Sequence, residues 1–269
     1  AIRFESHPPR DDVAMVPLME FGNLECDYKN FKLEVEGGAI NIGESVGVVG
    51  PNAIGKTTFV KMLAGVEEPT RGQLDKNVKV SYKPQYIAPD FGGTVRELFM
   101  NTAHDFFQSG FFESEIAHPL GLRRLYEKNV MNLSGGELQR VAISLCLSVD
   151  ADIYLMDEPS AYLDSNQRME TAKTIRRVME KKGRSALIVD HDIYFLDMVS
   201  DSMMVFDGHP GVSGKAGGPY EMREGMNMFL EQIDVTFRRD NETNRPRINK
   251  PNSRLDREQK GRGEYYYST

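Results

Sequence analysis

The stretch Gly50-Pro-Asn-Ala-Ile-Gly-Lys-Thr-Thr58 decides the fold of this chain. It follows the short apolar run Glu44-Ser-Val-Gly-Val-Val-Gly50 and leads into a segment with helical spacing that ends at Gly65. A glycine-rich loop between a strand and a helix is the setting of a P-loop, whose main-chain N–H groups form a concave anion site at the helix N-terminus. The sequence therefore predicts binding of a nucleoside triphosphate, ATP or GTP.

The side chains of this loop indicate how the phosphates are held. Lys56 is expected to reach the β- and γ-phosphates, Thr57 to bind Mg²⁺ and Thr58 to contact the α-phosphate side. Ala53 restricts a backbone that glycine would leave free, so we expect a modest effect on affinity and no loss of binding. The predicted nucleotide-binding residues of the loop are Gly50, Asn52, Ala53, Ile54, Gly55, Lys56, Thr57 and Thr58.

An acidic pair ends the apolar run Ile153-Tyr-Leu-Met-Asp-Glu158, which is the Walker B arrangement. Phosphoryl transfer needs mainly positioning and charge stabilisation. Asp157 is therefore expected to hold the Mg²⁺ shell, and Glu158 to face and polarise the attacking water.

A second anion site is predicted in Leu133-Ser-Gly-Gly-Glu-Leu-Gln139. Ser134 and two glycines open a long helix, so a hydroxyl and exposed N–H groups lie together. The ordered series of P-loop, Gln85, this stretch, Walker B and His191 resembles the ATP-binding cassette (ABC) ATPases.

The resemblance implies an α/β chain with the P-loop NTPase fold of ABC ATPases: a mostly parallel core sheet, an antiparallel β-subdomain and a helical subdomain. Gln85 would join Mg²⁺ and water to the helical lobe, and His191 would contact the γ-phosphate. Tyr28 resembles the aromatic residue that stacks on adenine, with Phe31 as its rival. The implied catalytic residues are Glu158, His191, Gln85 and Lys56; the implied magnesium ligands are Thr57, Gln85 and Asp157, and the cofactors are ATP and Mg²⁺.

In ABC proteins the Leu-Ser-Gly-Gly-Glu site closes on the γ-phosphate held by a different ATPase domain. This chain has one copy of each motif, so the resemblance implies a second ABC domain, in the parent chain or as a second copy. ATP would join the two domains and hydrolysis would release them. Residues expected to reach the partner's nucleotide are Leu133, Ser134, Gly135, Gly136, Glu137 and Asp164.

The pattern along the chain suggests a linker at 1–18, an ABC ATPase domain at 19–236 with a helical subdomain near 90–140, and a C-terminal hinge tail at 237–269. The glycine- and proline-rich stretch 208–220 is expected to be a loop. The recurring aromatic residues Phe106, Phe107, Phe111 and Phe112 are expected to pack in a core or lobe interface.

Composition narrows the function classes. The 269 residues are 40% hydrophobic and 27% charged, which is typical of a globular protein. No apolar run approaches the ~20 residues of a membrane helix, and neither a signal peptide nor a metal site at the two cysteines is expected. The net charge is −7, which argues against a protein that binds duplex DNA. The C-terminal segment 238–262 holds nine Arg or Lys residues and four Asp or Glu residues, so the negative charge belongs to the rest of the chain. This basic tail is expected to contact RNA, an acidic protein or the chain's own acidic body.

The tail makes the resemblance more specific. Asn244-Arg-Pro-Arg-Ile-Asn-Lys-Pro-Asn-Ser-Arg-Leu-Asp-Arg-Glu-Gln-Lys260 and Gly263-Glu-Tyr-Tyr-Tyr267, together with the P-loop helix and Asp157–Asp164, resemble the RNase L inhibitor family, class E of the ABC ATPases. The resemblance implies the second ABC domain and hinge of a cytoplasmic factor that splits ribosomes. Its implied partners are the small ribosomal subunit and termination or rescue factors, with no membrane.

Two other classes remain open. An ATPase subunit of a membrane ABC transporter would share every core motif, although transporter ATPases lack such a tail. A non-hydrolysing, ATP-gated scaffold is disfavoured because Glu158 and His191 are both present.

Overall fold

The computed structural model describes residues 16–85 and 89–267. Most of the predicted linker therefore lies outside the described residues. The strands are β1 (Pro17–Phe21), β2 (Leu24–Tyr28), β3 (Phe31–Val35), β4 (Gly38–Asn41), β5 (Ser45–Val49), β6 (Val80–Lys83), β7 (Ile153–Asp157), β8 (Ser185–Val189), β9 (Ser202–His209), β10 (Ser213–Glu221), β11 (Phe237–Arg239) and β12 (Pro246–Ile248).

The helices in the described ranges surround these strands. They are α1 (Lys56–Leu63), α2 (Val95–Phe107), α3 (Gly110–Phe112), α4 (Gly135–Ser148), α5 (Ser165–Lys182), α6 (Ile193–Val199), α7 (Met222–Gln232) and α8 (Arg254–Arg262), with short helical turns at Glu113–Ala117, Leu122–Leu125 and Val130–Asn132. None of the helices in these ranges combines the length and apolar character needed to cross a membrane.

Eight strands form one sheet in the order β2-β3-β10-β9-β5-β8-β7-β6. From β9 to β6 every neighbouring pair is parallel, whereas β2 with β3 and β9 with β10 are antiparallel. Strands β5, β7 and β8 are buried at every residue, as expected for parallel strands covered on both faces. The predicted fold class is confirmed, including its antiparallel part.

The two faces of the sheet bury separate apolar cores. Along β7, Ile153 and Leu155 face the core beneath α1, while Tyr154 and Met156 face the opposite core, which α2, α4, α5, α6 and α7 cover. This alternation follows from the two-residue period of a strand. Helices on both faces therefore fix the sheet from which the site loops emerge.

The predicted helical region is present between β6 and β7. Thr94 caps α2 by accepting the N–H of Glu97. Ring centroids lie 5.3 Å apart for Phe99 and Phe107 and 5.2 Å apart for Phe107 and Phe112. Phe106 and Phe111 pack on the same core, which confirms the packing role predicted for these rings.

The expectation of a loop at 208–220 is wrong, because most of this stretch is strand β10. Strand β10 pairs antiparallel with β9 and parallel with β3. Its glycines are needed for close approach: a Cβ at Gly214 would collide with the carbonyl oxygen of Ile54 in the P-loop. A glycine-rich pattern that indicates a turn locally here allows one strand to pass directly beside another segment.

The tail packs against the body of the chain. Strands β11 and β12 pair antiparallel, and the rings of Phe237 and Tyr266 stack with centroids 5.2 Å apart. Asp197 of α6 accepts hydrogen bonds from Arg239 and from the Tyr266 hydroxyl, and all three side chains are buried. Three partners were predicted for the tail: RNA, an acidic protein and the chain's own acidic body. The structure shows contact with the last of these.

Candidate nucleotide-binding site

Four segments of the site meet at one edge of the sheet. Strands β5, β6, β7 and β8 run parallel, so their carboxyl ends lie side by side, where α/β folds bind ligands. The P-loop follows β5, Gln85 follows β6, Asp157 ends β7, and His191 follows β8. The fold thus brings together residues that are far apart in the sequence.

The P-loop has a strained but well-supported backbone. Gly55 precedes α1 with φ 96°, and no side chain caps the helix, so its first N–H groups are free of side-chain competition for an anion. Ala53 has φ 59°, and its carbonyl accepts the N–H of Gly211 at 2.7 Å. Ala53, the residue expected to restrict the loop backbone, therefore has a left-handed conformation.

The Lys56 side chain lies within the loop. Its Nζ donates to the carbonyl of Gly50 at 2.5 Å. Burial lowers the pKa of Lys56, while the neighbouring carboxylates of Glu158 and Asp157 oppose that shift. This places a cation among the site's acids, next to the loop that would hold the phosphates.

Three oxygens fit a magnesium ion. Thr57 Oγ1 lies 2.9 Å from Asp157 Oδ2 and 3.5 Å from Gln85 Oε1. The second carboxylate oxygen of Asp157 is buried without a hydrogen-bond partner, and burial raises the pKa of this group. Mg²⁺ prefers oxygen ligands and is commonly held by one or two carboxylates plus substrate phosphates. The residues present therefore fit the ion.

Glu158 and His191 are adjacent at the same edge. His191 Nδ1 lies 3.5 Å from Glu158 Oε1, and the His191 side chain is 62% exposed, so it can meet an incoming ligand. Glu158 has φ 52°, and its N–H donates to the carbonyl of Val189 at 2.7 Å. The arrangement can polarise a water molecule beside a bound phosphate.

Three side chains that we did not predict support this edge. Lys83 Nζ donates to the carbonyl of Asp157 at 2.7 Å, and Gln139 Nε2 donates to that of Glu158 at 2.7 Å. Asp190 accepts the N–H and the hydroxyl of Ser160 at 3.0 and 2.7 Å, and burial raises its pKa. The available signals were weak: Lys83 is a charged residue at the end of a strand, and Gln139 lies inside a quoted motif.

The residues 133–137, here called the signature residues, lie at the capped, exposed start of α4. Ser134 Oγ accepts the N–H of Glu137 at 3.2 Å, and the Glu137 carboxylate accepts the N–H of Ser134 at 3.0 Å. A hydrogen bond from Lys128, reinforced by that N–H, lowers the pKa of Glu137 to about 2. Ser134 and Gly135 are exposed, so this end of α4 is open to a partner.

The signature residues and the P-loop residues have different neighbours. A Cβ at Gly136 would lie 2.9 Å from the carbonyl oxygen of Tyr162. Asp164 caps α5 by accepting the N–H of Gln167 at 2.8 Å. Leu133 packs against the helical core. Thr57 of the P-loop instead contacts Asp157 and Gln85.

Tyr28 and Phe31 face each other across the turn between β2 and β3. Tyr28 is 42% exposed, and its hydroxyl donates to Glu67. Phe31 packs against the core beneath α1. Tyr28 therefore has the more open ring for stacking on a base.

A P-loop after β5, a carboxylate pair at the end of β7, a glutamine, a histidine and a serine-capped helix define the class: this is an ABC-type ATPase domain. The family model described as "ABC transporter" matches residues 37–161. ABC transporter E family member 3 of Arabidopsis thaliana is 39% identical over 171 residues, which are 61% of this chain and 94% of that protein. The chain belongs to the E family of ABC ATPases, the RNase L inhibitor family.

Further relatives agree with this assignment. An uncharacterized ABC transporter ATP-binding protein of Methanocaldococcus jannaschii is 51% identical over 93% of this chain and 42% of its own length. The structure of an RNase-L Inhibitor superposes with a TM-score of 0.92 at 55% identity, over 95% of this chain and 50% of that one. An archaeal ribosome recycling factor, solved in complex with a ribosomal stalk protein, superposes with a TM-score of 0.95 at 53% identity, over 99% of this chain and 52% of that one. The chain thus spans about half the length of these longer relatives.

Proposed function

We propose that this chain binds MgATP at the P-loop and hydrolyses it, with Glu158 polarising the attacking water. The observation that carries the proposal is the convergence of Thr57, Gln85 and Asp157 oxygens at the sheet edge that also presents Glu158. When bound, Mg²⁺ offsets phosphate charge. Lys56 would stabilise the charge that develops on the transferred phosphoryl group, and His191 would contact the γ-phosphate.

The second half of the site would come from another ABC domain, supplied by the parent protein or by a second copy of this chain. The exposed start of α4 at Ser134 and Gly135 supports this, because a helix N-terminus that is open to its surroundings favours anions. Leu133, Glu137 and Asp164 would lie along the same interface. ATP would then draw two domains together and hydrolysis would release them, which makes the pair an ATP-driven clamp.

At the level of the cell, we propose that the chain is part of a cytoplasmic ribosome-recycling factor that contacts the small ribosomal subunit and termination or rescue factors. Membership of the E family, and the similarity to a recycling factor, favour this over an ATPase subunit of a membrane transporter. Residues 19–236 would be the ABC domain, with a helical subdomain near 90–140, and residues 237–269 the hinge tail.

The shared site is tested by the concentration dependence of turnover. If a second copy completes the site, turnover per chain rises with chain concentration. Ser134→Arg should remove this rise while leaving MgATP binding intact, because the arginine blocks closure without touching the P-loop. If turnover per chain depends neither on chain concentration nor on Ser134→Arg, one chain contains the whole site.

The ribosomal role is tested by co-sedimentation. Glu158→Gln should hold the ATP-bound state, so this variant should pellet with small ribosomal subunits in the presence of MgATP and not without it. A Lys56→Ala, Glu158→Gln double variant is the matched control, because it lacks the lysine that reaches the phosphates. Equal pelleting of both variants, or of neither, would contradict an ATP-dependent ribosome contact for this chain.

A further inference from the structure

The Lys83 ammonium group lies beneath the peptide that joins Asp157 to Glu158. Lys83 is the last residue of β6 and is 1% exposed. Its Nζ donates to the carbonyl of Asp157 at 2.7 Å and lies 3.4 Å from that of Glu158. One cation therefore contacts two successive carbonyl groups, one on each side of the Glu158 Cα atom.

Glu158 needs such support. Its φ of 52° is left-handed, and a non-glycine residue keeps this conformation only where the surroundings enforce it. The N–H of Glu158 is held by Val189, and its carbonyl accepts from Gln139 at 2.7 Å. Lys83 adds a contact to that carbonyl and holds the preceding one. The direction of the Glu158 side chain depends on this backbone conformation.

An ordinary strand position does not explain a lysine here. Burying a cation is costly unless it is well paired, and the neighbouring strand residues bury apolar or small side chains. Lys83 forms no close ion pair among the described residues, and its ammonium group donates to the main-chain carbonyls of Asp157 and Glu158. Its charge also lies near the carboxylates of Asp157, Asp190 and Glu158, whose mutual repulsion it offsets.

We propose that Lys83 is a positioning residue that holds Glu158 in its left-handed conformation and so directs its carboxylate toward the reacting water. The proposal rests on the hydrolytic role proposed above for Glu158. It assigns Lys83 no contact with ATP, and it predicts a defect in the chemical step with nucleotide binding retained.

The test compares Lys83→Met with Lys182→Met. Lys182 is the matched control, because it is less deeply buried than Lys83 but its Nζ likewise donates to a main-chain carbonyl, that of Leu147, away from the site. Lys83→Met should lower kcat by about 10- to 100-fold, the effect of a small misplacement of a reacting group, and leave the Kd for MgATP unchanged. Lys182→Met should change neither quantity. Hydrogen exchange of the segment 157–160 should quicken in Lys83→Met alone, whether or not turnover is measurable.

A second background separates positioning from general damage. Once Glu158→Gln has removed the carboxylate, Lys83→Met should cause no further loss of residual turnover. An equal fold-loss in both backgrounds, unchanged exchange at 157–160, or loss of MgATP binding with turnover would overturn the proposal. A third outcome is that the unsubstituted chain shows no turnover, while Lys83→Met still exchanges faster at 157–160. That outcome would contradict the hydrolytic role of Glu158 and leave the structural role of Lys83 standing.

Discussion

Two non-glycine residues of the nucleotide site, Ala53 and Glu158, have left-handed backbones, with φ of 59° and 52°. Such positions disfavour side chains with a Cβ and are common at functional sites. Glu158 directly follows the end of β7, and its N–H donates to the carbonyl of Val189 at the end of β8, which holds this conformation. At Ala53 the conformation belongs to the loop itself, in which Gly50 and Gly55 also have positive φ.

The strain at Ala53 predicts that Ala53→Gly stabilises the chain. Relief of a left-handed alanine is worth about 1–2 kcal/mol, and the greater freedom of glycine in the unfolded chain removes part of it. Guanidinium unfolding should show a gain of up to about 1 kcal/mol, with MgATP bound at least as tightly. Ala64→Gly is the control, because Ala64 has φ −74° and should lose stability. Similar losses in both variants would contradict strain at Ala53.

At the scale of single elements, the start of α4 predicts a pH effect. Glu137 has a folded pKa of about 2, below its ordinary value. Its ionised form therefore stabilises the folded chain above pH ~4.3, and this contribution is lost as pH falls toward 2. Glu137→Gln keeps a capping-box residue but removes the Lys128 pair, so it should cost about 0.2–1 kcal/mol at pH 7.

The measurement is the free energy of unfolding between pH 6 and pH 2 for both chains. The difference between them should shrink as pH falls. A difference that stays constant over this range would show that Glu137 acts only as a neutral cap.

Strand β10 predicts that Gly214→Ala damages the P-loop. The added methyl group would collide with the carbonyl oxygen of Ile54, and overpacking of this kind costs about 1–3 kcal/mol. Unfolding measurements should show this loss, and calorimetry should show weaker MgATP binding. Gly22→Ala is the control, because its new Cβ would meet no atom within 4 Å. Unchanged MgATP binding in Gly214→Ala would mean that β10 does not shape the loop.

Elements could be predicted where local pattern and burial agree. The bounds of β7, α5 and α6 follow from an uninterrupted apolar run and from helical periodicity with acidic caps at Asp164 and Asp192. Strand β10 could not be predicted from local pattern, because its glycines allow close contact with segments that are distant in the sequence. The same limit applies to Lys83 and Asp190, whose main-chain hydrogen bonds across strands leave no spacing signal. The motif residues of the site could be predicted from the sequence because the order of the motifs along the chain is specific.

At the scale of the whole molecule, the tail is joined to the helix that follows His191. Asp197 of α6 contacts Arg239 and Tyr266, which lie near the two ends of the tail. The Phe237 ring packs between Tyr194 and Tyr266. Movement of the tail would therefore be transmitted to α6, close to the histidine proposed to contact the γ-phosphate.

Arg239→Met should release the tail. Removing one partner of a buried ion pair leaves an uncompensated charge and costs about 3–5 kcal/mol. Limited proteolysis should then cut between residues 237 and 267 before the body unfolds. Arg238→Met is the control, because Arg238 is only part-buried and donates to Asn249. Equal protease resistance in both variants would show that the Asp197 pair does not hold the tail.

Glu158 is proposed to act in ATP hydrolysis and not in MgATP binding. The most direct measurement is steady-state ATP turnover together with the Kd for MgATP, in the parent chain and in Glu158→Gln. We expect turnover to fall by at least ~100-fold, the lower end of what general-base catalysis contributes, while the Kd is unchanged because Lys56, Thr57 and Asp157 remain. Unaltered turnover in Glu158→Gln, or MgATP binding lost together with turnover, would contradict this role of Glu158.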